Sequence, residues 1–200
     1  EPVFTSSMLM TGNWSRSDIQ LQLSRWVKSG KLLRLRRGVY LLARPYRTVS
    51  PHPFIMANHI RKASYVSLQS ALAWYDMIPE YTPVVTSITT GRPGTYDTPE
   101  GTFTYRHIKK SLFHGYSRVV VADNQSAFIA SPEKGLLDLV YLTPESENRE
   151  YLRELRLQNM DRLDRVVLTK LARDSGSTKL MAAAGRIADL ADEEGPYVEL

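Results

Sequence analysis

Between Ser15 and Leu42 the spacing of apolar residues changes period once. Ile19, Leu23, Trp26 and Val27 recur at i, i+4, i+7 and i+8, while Arg16, Ser17, Gln20, Ser24 and Lys28 fall elsewhere on the cylinder. That spacing predicts an amphipathic helix with Trp26 in its core-facing stripe. Ser15 or Ser17 can accept a backbone N–H at its start, Asp18 suits the positive end of the macrodipole, and Gly30 offers the left-handed residue that commonly ends a helix. From Leu33 the period falls to two, with Leu33, Leu35, Val39 and Leu41 alternating against Arg34, Arg36 and Tyr40. Arg37-Gly38 supplies the turn of a hairpin.

Downstream, Phe54 to Ile60 reads as a short helix, and a second starts at Ser67 with Leu68, Ala71, Leu72 and Tyr75 on one side. Val84 to Thr90, Gly101 to Ile108, Tyr116 to Ala122 and Ala127 to Ala130 are β-branched or aromatic runs set between turn residues, and so read as strands. Ser131, Pro132 and Glu133 mark a helix start, and the stretches 151–157, 163–173 and 180–192 are amphipathic and rich in opposite charges.

The chain order of helix then basic hairpin is that of a winged helix. The predicted fold class is therefore α+β. An N-terminal winged helix-turn-helix over residues 1–43 precedes an α/β domain over 54–200, which has a small mixed or antiparallel sheet and a helical C-terminus. "RPYRTVSPHP", residues 44–53, reads as the linker because three prolines restrict it. "TSSMLMTGN" can make one short helix, capped by Thr5 or Ser6. The first helix of the usual three is either absent or lies upstream of Glu1.

Charge sharpens this picture. Residues 1–50 carry nine Lys or Arg against two acidic residues, a net +7, whereas residues 51–140 come to +1 and 141–200 to −3. A localised basic module favours a polyanion partner. Arg16, Ser17 and Gln20, with Ser15 and Ser24, are candidates to meet base edges in the major groove of double-stranded DNA. Arg25 and Lys28 are better placed for phosphates, and Arg34, Arg36 and Arg37 form a cationic finger along the backbone. The competing reading is a core helix with a hairpin whose arginines only keep a sheet edge in solution.

Composition narrows the rest. With 42% hydrophobic residues the chain can build a real core, and with no cysteine it forms no disulfide or thiolate zinc site, which suits a cytoplasmic protein. No run approaches the length of a membrane span. Catalytic signals are weak. His52, His59, His107 and His114 lack metal-ligand spacing, "TTGRPG" lacks the phosphate-cradling order, and Glu133 beside Lys134 is explained by the helix start. No metal, cofactor or enzymatic activity is expected. Arg106, His107, Lys109 and Lys110 form a second basic cluster, read as a solvated edge, and Trp74 and Tyr75 read as packed aromatics.

Four blocks, "LSRWVKSGKLLRLRRGVYLL", "SYVSLQSALAWYDMIPE", "ITTGRPGTYDTPEGTFTYRHIKKSLFHGY" and "AFIASPEKGLLDLVYL", follow one another in the chain. Together they resemble the AbiEi family of bacterial antitoxins and transcriptional regulators, from about Val3 to Leu142. The resemblance implies a type IV toxin–antitoxin system of the kind linked to phage abortive infection. In it a winged helix binds inverted repeats in the promoter of its own operon, and the partner gene encodes a nucleotidyltransferase-like toxin. Arg36 and Arg37 fall in the family's "RRGVY" signature. The alternative is a protein-interaction module that counteracts a partner toxin without specific DNA binding.

Overall fold

The computed structural model describes residues 3–10, 15–79 and 82–193. Its first unit is built on a three-stranded antiparallel sheet of β1 (Val3–Thr5), β2 (Leu32–Arg36) and β3 (Val39–Leu42), in the order β1-β3-β2. A 3-10 turn over Ser6–Leu9 follows β1, and then comes helix α1 (Arg16–Lys28). The last residues of the predicted short helix, 11–13, lie outside the described ones. Strand, turn, helix and hairpin in this order are compatible with a winged-helix start.

Both ends of α1 are set by local chemistry. Ser15 Oγ accepts the Asp18 N–H at 3.1 Å and donates to the Asp18 carboxylate at 2.6 Å. At the other end Gly30 takes φ +71°, its N–H donates to Val27 O, and the Lys31 N–H reaches back to Trp26 O. These paired reversed bonds form a Schellman stop that only a residue tolerant of positive φ closes without strain.

The small sheet is covered on both faces. On one, Leu32, Tyr40, Leu42 and Phe4 meet Ile19 and Leu23 of α1. On the other, Val3, Leu33, Leu35, Val39 and Leu41 join the main core of the protein. Trp26, read from the pattern as core, is instead 37% exposed. Only two residues of α1, Ile19 and Leu23, are fully covered, so the three strands serve about two turns of helix, and the last turn overshoots them.

The second unit centres on a six-stranded mixed sheet in the order β6-β7-β5-β4-β9-β8. Its strands are β4 (Ser64–Val66), β5 (Val84–Thr89), β6 (Gly94–Thr98), β7 (Gly101–His107), β8 (Tyr116–Ala122) and β9 (Gln125–Ala130). The β5–β7 and β4–β9 pairs are parallel, the others antiparallel. Helix α2 (Pro53–Ile60) lies on one face, where Tyr105 Oη donates to Ala57 O at 2.6 Å. On the other face lies α4 (Pro132–Leu142), which also packs on α3 (Leu68–Trp74). Beyond it come α5 (Arg149–Glu154), α6 (Arg165–Asp174) and α7 (Thr178–Glu193).

The stretch read as a linker is held in place. A 3-10 turn spans Arg44–Tyr46, and the Arg47 side chain, 3% exposed, pairs with Glu100 at 3.1 Å. Gln125 then clamps the chain, accepting the His52 N–H and donating to Ser50 O.

Candidate nucleic-acid interface

Counting about 100° per residue around α1, Ser17, Leu21, Arg25 and Lys28 project away from Leu23, Gln20 and Ser24 sit on its flanks, and Arg16 lies on the Leu23 side in the first turn. All seven are exposed, so the helix presents its candidate residues to solvent over its whole length. Ser15 is occupied as the cap, and Ser17 Oγ shares a hydrogen bond with Ser15 Oγ at 2.7 Å. Serine at the cap and acid at the third helical position are a local requirement of the helix start, which explains why both were visible as sequence signals.

The hairpin splits its arginines. Register runs Leu33↔Leu41 and Arg34↔Tyr40, then slips so that Arg36 lies opposite Val39, with Leu35 as the extra residue of a bulge. Arg34 therefore shares the α1 side with Tyr40, and Arg37 is exposed in the turn beside Gly38 (φ +81°). Arg36 is turned to the opposite face. It is half-buried, with its Nε enclosed and unpaired, and its charge is felt by Tyr105 in the large sheet. Burial pushes the Tyr105 phenol up, and the Arg61 and Arg36 guanidinium groups work against it.

Of the nine cations in residues 1–50, Arg16, Arg25, Lys28, Lys31, Arg34, Arg37 and Arg44 are exposed; Arg36 and Arg47 are drawn inward. The exposed set surrounds α1 and the hairpin with Asp18 as the only described acid there, and Asp18 is hydrogen-bonded to Ser15. In physical terms the unit is a groove-sized rod beside a cationic ribbon, able to displace counterions from a duplex.

Elsewhere the polar chemistry is internal. Asp138 is fully buried, accepting from Lys134 Nζ at 2.5 Å, Ser67 Oγ at 2.7 Å and Tyr65 Oη at 2.9 Å. Burial pushes its carboxyl up, opposed by Lys134 and by the hydrogen bonds from Ser67 and Tyr65. Glu133, predicted as a residue matched to the helix dipole, is also buried and accepts the Asp164 N–H at 2.8 Å, tying the start of α4 to the start of α6. Trp74 packs edge-on against His52 and Phe54. Arg106 donates to Leu142 O and His107 contacts Gly91 O, whereas Lys109 and Lys110 are exposed. No described helix is long and apolar enough to cross a membrane, and no three His, Asp or Glu among the described residues are gathered as metal ligands.

No curated relative matches the chain. A family model described as "Transcriptional regulator, AbiEi antitoxin" matches residues 2–43, the span of the small sheet, α1 and the basic hairpin. Over those residues the chain is similar to that family of regulators.

Proposed function

We propose that this protein is a sequence-specific DNA-binding regulator that represses its own operon and is the antitoxin half of a type IV toxin–antitoxin pair. In this reading residues 3–43 are a winged helix, with α1 in the major groove and the β2–β3 hairpin on the adjacent backbone. The observation that carries it is the exposed polar face of α1 set beside exposed Arg34 and Arg37, in the residues that match the regulator family. Arg16, Ser17 and Gln20, in the first half of α1, read base edges, as the N-terminal residues of recognition helices do. Arg25, Lys28, Arg34 and Arg37 hold register on phosphate.

The protein acts by binding and not by catalysis. It works in the cytoplasm, and the antitoxin role belongs to the α/β body, acting against a nucleotidyltransferase-like toxin encoded beside it. The test is a mobility-shift titration on the DNA upstream of its own gene, with scrambled competitor and varied salt. Specific retardation that weakens steeply with salt is expected, and equal affinity for the scrambled duplex overturns the reading. Arg16→Ala should relax preference at one base pair by about 1–3 kcal/mol.

A further inference from the structure

The outward face of α1 has one residue that polar chemistry does not explain. Leu21 is 52% exposed, and its neighbours one turn away on the helix surface, Ser17, Asp18, Ser24 and Arg25, are all exposed and polar. It lies about 160° around the helix from Leu23, the centre of the buried stripe, so no partner within the small sheet can cover it. Trp26, the other exposed apolar side chain of α1, lies on a flank and not on this face. Leu21 is thus an apolar point on the surface that the DNA-binding reading turns toward the groove, with exposed Arg25 and Lys28 on the same face of the helix.

A leucine can neither donate nor accept a hydrogen bond, so it cannot read most base edges. The major groove holds one apolar feature, the C5 methyl of thymine, which side chains recognise by contact. We infer that Leu21 is a specificity-determining residue that packs on a thymine methyl in the bound duplex, selecting one T·A pair near the middle of the half-site. The inference rests on the DNA-binding reading. It adds to that reading a base identity that the arginines and serines do not supply, and burial against the methyl removes the solvent exposure of Leu21.

The experiment uses the whole chain. Bound sequences are selected from a randomised duplex library, and in the best duplex each thymine is replaced singly by deoxyuridine, which removes only the methyl. One such replacement should weaken the wild-type protein about fourfold, the effect of one buried methyl group. Leu21→Ala should be indifferent to that replacement, should lose the T·A preference at that column alone, and should keep the salt slope. If Leu21→Ala selects the same motif and retains every thymine-methyl effect, the inference fails while the DNA-binding reading stands. If the wild type enriches no sequence at all, both fall together.

Discussion

At the scale of single residues, His52 links protonation to folding. Its Nδ1 accepts the Phe54 N–H at 3.2 Å as the cap of α2, which requires the ring unprotonated at that atom. Burial lowers its pKa from the ordinary 6.5. Protons therefore bind the unfolded chain more readily, and the stability present above pH 6.5 is lost as pH falls through the depressed folded value. Thermal melts should show a drop in midpoint on acidification below that pH. His52→Asn, which keeps a capping oxygen, should remove that part of the drop. The Asp138 cluster gives a second residue-scale expectation. Asp138→Ala leaves a buried ammonium and two buried hydroxyls without an acceptor, whereas Lys134→Ala leaves a carboxyl that can take a proton and still has two donors. Urea unfolding should place the first loss near 5 kcal/mol and the second nearer 3 kcal/mol, by order of magnitude about 3–5 for breaking a buried pair. The i, i+4 spacing of Lys134 and Asp138 permits a helix ion pair but says nothing of its burial. What buries them is supplied by Tyr65 and Ser67, which lie 73 and 71 residues from Asp138 along the chain.

At the scale of elements, the bulge in the hairpin separates arginines that look equivalent in "RLRRG". Arg34→Ala with Arg37→Ala should reduce the slope of log K against log salt by about two. Arg36→Ala should leave that slope unchanged and instead shift the unfolding midpoint, because Arg36 is half-buried and its charge acts on Tyr105 of the body. A salt slope altered by Arg36→Ala would contradict its inward placement. Strict alternation predicted Arg34 and Arg36 on one face, and a single extra residue, Leu35, reverses it; nothing in the residue types announces the slip. The ends of α1 were legible because Ser15 and Gly30 act within their own turn. The last turn of α1 was not, since the period places Trp26 in the stripe but only the width of the sheet beneath decides whether it is covered. Two strands of the large sheet escaped for similar reasons. "SYV" is three residues long and runs into a helix, and "GTYDT" contains residues depleted in strands. They form because β4 is held between β5 and β9, and β6 by pairing with β7.

At the scale of the whole molecule, four strands of the large sheet and the helical tail were readable from period and turn residues, whereas the mixed pairing of the sheet and the attachment of the first unit were not. Prolines in 44–53 suggest slack. The fold instead places Val3, Leu35, Val39 and Leu41 in the same core as the body and locks Arg47 onto Glu100. A fragment ending at Ala43 would expose one entire face of a three-stranded sheet. Expressed alone it should show no cooperative unfolding by circular dichroism and collapsed amide dispersion by NMR, in contrast to the intact chain. A well-dispersed fragment would mean that the shared core contributes little.

Under the proposed function, the stacking order of helix, small sheet and body also has a consequence for traffic at the promoter. With α1 facing the duplex, the large sheet and its helices stand on the side turned away from it. Beta strand β8, an open edge with Val120 69% exposed, stays within reach of a protein partner while the operator is occupied. Repressing transcription and disarming a toxin then need not compete for one molecule.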